Sequence, residues 1–206
     1  MQRLLFLSSF CLTLCFVLTS CAAPTPEMRY IVAIDRSEST APMRLDQLHD
    51  ITLVRQAALV NGAEMEMWFY DSGASRIYGP GVPNDSKAIK LQKQSYLIPD
   101  QKHRRVGTRP AALFEALDKE VPDITGKDVR LLVFTDGDND FGTDGARIKA
   151  GAEALSKLPK LKVTVIGIHA ENESWWKMQV LPALGGRLTI APPSDHLQAT
   201  GQAVAP

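Results

Sequence analysis

Asp35, Ser37 and Ser39 stand at alternate positions in Tyr30 to Thr40, YIVAIDRSEST, directly behind an apolar run. Oxygens spaced in this way suit a hard divalent cation. The carboxylate supplies an anionic oxygen and the two hydroxyls supply neutral ones, so a cation is coordinated without crowding negative charge around it. A second apolar run, Val129 to Phe134, also ends in oxygen ligands, at Thr135-Asp136-Gly137. Asp138, Asp140 and Asp144 follow, which raises a calcium loop. Such a loop needs Gly at its sixth position and Glu at its twelfth; counted from Asp136 these are Phe141 and Arg147, and the pattern fails. Aspartates at strand ends also serve Mg²⁺-dependent phosphohydrolases. One large group of those needs a nucleophilic Asp followed two residues later by an acid/base Asp. Ser37 holds that place, and a hydroxyl cannot act as general acid or base near neutral pH. No G-x-x-x-x-G-K-[ST] phosphate loop is present. A phosphohydrolase and a purely structural use of the fold remain the alternatives to a binding site.

The elements that must position these residues follow from periodicity. Ile31 to Ile34 is a continuous apolar run, as expected of a central strand covered on both faces, and Val129 to Phe134 reads the same way. Leu45, Leu48, Ile51, Val54 and Ala58 recur at helical spacing within Pro42 to Val60, with Asn61-Gly62 as the stop. Glu64 to Tyr70 and Ser75 to Tyr78 read as strands in a hairpin-like step, and Gly79 to Asp85 as loop. Helices are expected at Ser86 to Tyr96, Thr108 to Leu117, Ala146 to Leu158 and Ser174 to Ala183, with a terminal one after Ser194. Pro99 to Gly107 reads as loop, and strands are expected at Leu161 to Ile168 and Arg187 to Ile190. Trp175 and Trp176 are adjacent and cannot share a helix face, so one packs and the other is partly exposed; core packing is the role expected of both. Strand and helix alternate nearly throughout. The pattern predicts an α/β domain with a doubly wound, mostly parallel sheet flanked by helices, whose ligands sit at the carboxyl ends of the strands.

Of 206 residues, 45% are hydrophobic and 22% charged, enough for one globular domain with a sizeable core. Lys+Arg and Asp+Glu are both 23, so no basic field gathers nucleic acid. Residues 1–21 read as a processing segment: Arg3 supplies one positive charge, Leu4 to Leu18 is mostly apolar, and Leu18-Thr19-Ser20-Cys21 resembles a bacterial lipoprotein signal, with Cys21 as the lipidated residue. An ordinary secretory signal cut near Ala22-Ala23 and an uncleaved anchor helix are the alternatives. Cys11, Cys15 and Cys21 are the only cysteines, so residues 28–206 form a domain without disulfide or thiol chemistry. Residues 22–27 are a short linker spanning at most about 20 Å. Ala22 stands where resembling lipoproteins retained at the inner membrane have Asp, which favours the outer membrane of the envelope.

Taken together, Asp35, Ser37, Ser39 and Asp136 in this context resemble the von Willebrand factor type A (vWA) domains and their metal-ion-dependent adhesion site (MIDAS). The resemblance covers roughly Arg29 to Ile190. It implies a Rossmann-like fold and adds Thr108, the threonine of a later loop that precedes a helix. Leu184-Gly185-Gly186-Arg187 before the last strand also resembles the family. The family's usual Gly-Gly-Thr is here Val106-Gly107-Thr108, and residues 79–105 show no family pattern. The resemblance implies a membrane-anchored protein-binding module rather than an enzyme. Ser37, Ser39 and Thr108 would coordinate Mg²⁺, Mn²⁺ or Ca²⁺ directly, Asp35 and Asp136 would hold waters and hydroxyls around it, and an acidic residue of another protein would complete the coordination. His103, Arg104, Arg105, Arg109 and Arg36 form a positive rim expected to steer such a partner, or a merely solvated loop. With the anchor before the first strand, that strand carries the metal edge some 25 Å away from the membrane end.

Overall fold

The computed structural model describes residues 27–84, 107–140 and 142–205, and the side chain of Thr143 is not among what it describes. The expected signal, lipidation site and most of the linker, the helix expected at Ser86 to Tyr96, and His103, Arg104 and Arg105 lie outside these residues.

Six strands form one sheet: β1 (Met28–Asp35), β2 (Glu64–Tyr70), β3 (Ala74–Gly81), β4 (Asp128–Phe134), β5 (Leu161–Ile166) and β6 (Leu188–Ala191), in the order β3-β2-β1-β4-β5-β6. All neighbours pair parallel except β2 and β3, which form the expected hairpin. The helices are α1 (Arg44–Val60), α2 (Pro110–Asp118), the single turn α3 (Val121–Ile124), α4 (Gly145–Ser156), α5 (Ala170–Leu184) and α6 (His196–Val204). The chain leaves β1 towards β2 on one side and returns to β4 on the other. The strand order therefore reverses between β1 and β4, the place where open α/β sheets hold ligands.

Alternation along β1 shows why its sequence is apolar throughout. Ile31 and Ala33 pack on the face covered by α2, α4 and α5, against Leu113, Phe114, Ile148 and Trp176. Tyr30, Val32 and Ile34 pack on the opposite face with Ile51, Val54 and Ala58 of α1 and Ala199 of α6. Each face thus has its own core, and β1 contributes to both. Trp176 is fully buried and Trp175 partly so, edge-on to it with ring centroids 5.9 Å apart.

Several boundaries differ from the sequence reading. β3 continues through Gly79-Pro80-Gly81, which reads as loop. It is an edge strand, where a proline's missing N–H costs no ladder bond, and Gly79 lies so close to the backbone of Met65 and Glu66 that a Cβ would not fit. The helix expected from Thr108 begins at Pro110, a favoured first position. α5 starts at Ala170, four residues before the expected Ser174, because its first turn shows no apolar periodicity; it carries Glu171 and Glu173, which suit the positive end of a helix dipole. Leu45 is 74% exposed rather than inward. Ile51, Val54 and Ala58 set the buried phase of α1, and the positions in phase with them one turn earlier are polar, Gln47 and Asp50.

This phase makes a direct prediction. In urea unfolding, Leu45→Lys changes stability by less than about 0.5 kcal/mol, whereas Ile51→Ala costs about 2–5 kcal/mol.

Candidate metal centre

The register of β1 on β4 builds the centre. Ile34 lies opposite Phe134, so the next residues, Asp35 and Thr135, face one another at the reversal of strand order. Asp35 is 1% exposed. Its Oδ2 accepts the Thr135 hydroxyl at 2.8 Å and its Oδ1 accepts the Ser37 backbone N–H at 2.8 Å. Thr135 Oγ1 in turn accepts Gly137 N–H at 3.1 Å. The Thr40 hydroxyl closes the loop from below, 3.0 Å from the Asp35 carbonyl and 2.9 Å from that of Ser37. These contacts hold Ser37 Oγ 3.1 Å from Ser39 Oγ. Adjacent ligands of an octahedral Mg²⁺ with bonds near 2.1 Å lie about 3 Å apart, so this spacing fits two ligands of one cation.

Thr108 reaches the same edge by tertiary contacts. Its N–H donates to Asp140 Oδ2 at 2.6 Å and its carbonyl accepts Asp140 N–H at 3.1 Å. Arg109 N–H donates to the carbonyl of Asp71, just past β2, and Arg36 N–H donates to that of Tyr70, both at 2.9 Å. The loops after β1, β2 and β4 are thereby tied to the one before α2. Gly107 is required here, because a Cβ would run into the Asp140 carboxylate. Thr108 is fully buried, yet its Oγ1 has no hydrogen-bond partner among the described residues. A buried hydroxyl left in that state costs about 1–3 kcal/mol, and a cation ligated by it would remove the cost.

Asp136 is also buried. Its Oδ1 accepts Asp138 N–H at 3.1 Å, while its carbonyl accepts His169 N–H at 3.0 Å and Asn172 Nδ2 at 3.2 Å. Asn172 Nδ2 also donates to Asp138 Oδ1 at 2.8 Å, and Trp176 Nε1 donates to the Gly137 carbonyl at 3.0 Å. Gly137 has φ +91°, with Ile168 and Asn172 too close for a side chain.

Burial pushes the Asp35 carboxyl up to about 7; the hydrogen bonds from Ser37 and Thr135 pull it back, and the nearby Asp136 adds to the rise. Burial likewise raises the Tyr70 hydroxyl, beside Asp35. Among the described residues no group of three or more His, Cys, Asp or Glu could hold a metal. The donor set is instead three hydroxyls with two buried carboxylates, which suits a hard oxygen-seeking cation.

The expected rim is only partly in view. The Arg36 guanidinium lies over the Phe69 ring, 4.6 Å from its centroid. Arg109 does not stand open as expected. It grips Asp144 through Nε and Nη2, so its charge is neutralised and it anchors the turn before α4. The hydrogen bond from Arg109 holds the Asp144 carboxyl below its ordinary range. Asp138, Asp140 and Asp144 therefore each bind a protein group. Asp140 and Asn172 support the centre through partners 32 to 36 residues away, which chain reversals set; Thr40 bonds within its own loop and was missed although it directly follows Ser39, and Thr135 stands beside Asp136 while its bond to Asp35 spans 100 residues.

No family model and no curated protein matches the chain. Solved structures do match. BatB from Bacteroides thetaiotaomicron is 15% identical with a TM-score of 0.60, the match covering 86% of this chain and 97% of that one. A von Willebrand factor type A protein from Catenulispora acidiphila is 13% identical with a TM-score of 0.56, over 87% of this chain and 42% of that one. Proximal thread matrix protein 1 from the mussel byssus, with its MIDAS motif occupied by zinc, is 12% identical with a TM-score of 0.53, over 87% of this chain and 48% of that one. Identities this low establish the fold alone, and that fold is the Rossmann-like vWA fold.

The raised Asp35 carboxyl fixes a sign. Its folded value, about 7, lies above its ordinary 3.8, so the native state holds the extra proton between these pH values and stability falls as pH rises through the window. With chelator present, Asp35→Asn is therefore more stable than wild type at pH 8, by on the order of 4 kcal/mol at most, and the two converge near pH 4. Thermal melts at both pH values check this; a wild type that is the more stable at pH 8 refutes it.

Proposed function

We propose that this chain is a lipid-anchored, divalent-metal-dependent protein-binding module of the bacterial envelope. The observation that carries the reading is the buried Thr108 hydroxyl, without a partner among the described residues, at the same sheet edge as the Ser37–Ser39 oxygen pair. Ser37, Ser39 and Thr108 ligate the cation, Mg²⁺ in the first instance with Mn²⁺ or Ca²⁺ as alternatives. Asp35 and Asp136 orient the hydroxyls and the cation's waters. A centre whose direct protein ligands are neutral leaves the cation short of negative charge, and a carboxylate from an acidic partner protein supplies it. Arg36, with Arg104 and Arg105, favours that approach.

The phosphohydrolase reading fits less well. A nucleophilic carboxylate needs an available oxygen, whereas both oxygens of Asp35 accept hydrogen bonds, one from Ser37 N–H and one from Thr135. Anchoring at Cys21, to the outer membrane by the absence of Asp after it, completes the proposal. No described helix is long and apolar enough to cross a membrane.

Two measurements test it. Mg²⁺ at about a hundred times its Kd stabilises the wild type by about 2.7 kcal/mol, a rise of roughly 5–10 °C in Tm; Thr108→Ala melts at or above wild type in chelator and loses most of the rise. An unchanged metal response in Thr108→Ala removes Thr108 from the centre. In pull-downs from envelope extract, the wild type captures its partner with Mg²⁺ and not with chelator, and Asp35→Ala captures it in neither; equal capture in all conditions overturns the reading. Cys21→Ser releases the protein from the membrane fraction.

A further inference from the structure

The end of the sheet away from the metal centre carries a second candidate site. α6 begins at the metal edge, where His196 Nδ1 lies 2.8 Å from Asp50 Oδ2, and ends near the start of β1, where the Val204 carbonyl accepts the Tyr30 hydroxyl at 3.2 Å. Between its second half and the β5–β6 edge lies a groove of about 270 Å³, lined by Lys162, Thr164, Gly186, Arg187, Thr189 and Gln202. α6 presents Ala199, Gln202 and Ala203 towards it.

No carboxylate lines this groove. Arg187 is fixed by neutral carbonyls. Its Nε donates to Leu184 O at 3.3 Å, Nη1 to Ser156 O at 3.1 Å and Leu158 O at 2.8 Å, and Nη2 to Ser156 O at 3.1 Å. Its position is thus set while its charge has no acidic partner among the described residues. Lys162 is exposed at the start of β5, and Lys157 and Lys160 are exposed in the turn just before it. Thr164 is the one polar side chain among the buried positions of β5.

We propose that this groove binds a phosphate-bearing anion. Arg187 is the fixed charge, Lys162 the adjustable one at the mouth, and Thr164, Thr189 and Gln202 supply neutral donors. Four of the five Arg187 N–H groups are held by carbonyls, which leaves one Nη2 N–H and the fixed positive charge for a phosphate oxygen, and little side-chain freedom is lost when that bond forms. Two sources offer this chemistry, the headgroup of an anionic phospholipid and free phosphate. The groove opens at the end of the sheet where β1 begins, which the linker from Cys21 holds within about 20 Å of the bilayer, and this favours the headgroup. The choice of source rests on the Cys21 anchor; the anion class rests on the groove alone.

The full chain in nanodiscs of phosphatidylcholine, with or without phosphatidylglycerol, separates the outcomes through amide hydrogen exchange at residues 186–190. Slower exchange with phosphatidylglycerol, retained in Lys162→Arg and lost in Lys162→Glu, is expected. The same slowing by inorganic phosphate in phosphatidylcholine discs upholds the anion site and overturns the lipid source. No slowing by either anion, or equal slowing in Lys162→Glu, overturns the site. The Mg²⁺ response of Lys162→Glu stays that of wild type, so failure here is distinct from failure of the metal centre.

Discussion

The hydrogen bond between Thr135 and Asp35 is the joint on which the candidate metal edge depends. It crosses the gap where strand order reverses, and it exists because β1 and β4 pair in a register that sets Asp35 opposite Thr135. A register slip of one residue would turn both side chains to the wrong faces of the sheet. The two separate cores forbid that slip, since each face of β1 is already committed to its own set of helices. Apolar packing thus fixes the position of two polar groups, and those groups then fix the loops that follow them.

The loops are held by exchange of backbone and side-chain bonds rather than by apolar contact. Thr108 and Asp140 satisfy each other twice, and Gly107 leaves room for the carboxylate that does it. Arg109 and Asp144 clamp the start of α2 to the turn before α4. A string of aspartates that resembles a calcium loop therefore serves as scaffold. Its carboxylates point at N–H and guanidinium groups, while the Ser37 and Ser39 hydroxyls bond each other and that of Thr108 has no partner among the described residues.

What was legible in the sequence was whatever depends on neighbours in the chain. The uninterrupted apolar runs of β1 and β4 located Asp35 and Asp136 at strand ends, and the alternation of strand and helix gave the doubly wound sheet. Contacts between distant segments were not legible. Nothing around Asp140 announces that it will bind an N–H 32 residues earlier. Nothing in Gly79-Pro80-Gly81 separates a turn from an edge strand until β2 is placed beside it. Leu45 misled because an apolar residue near a helical phase looks buried, while the phase itself was carried by Gln47 and Asp50.

The two ends of the sheet treat a buried carboxylate in opposite ways. Glu66 on β2 is fully buried, and burial raises its carboxyl, but Trp68 Nε1 donates to it at 3.2 Å and the guanidinium groups of Arg76 and Arg29 lie 3.5 and 3.9 Å away. Arg29 also pairs with Glu64, and Arg76 with Glu120, so Glu66 lies within a network of internal counter-charges. Asp35 is as deeply buried and is met among the described residues by neutral donors of Ser37 and Thr135, with another carboxylate near by. Burying a charge without a counter-charge is tolerated where the missing charge comes from elsewhere. Glu66 shows that this fold supplies internal cations to a carboxylate that serves structure, and among the described residues it supplies none to Asp35; in the proposed reading a cation from solution completes this edge.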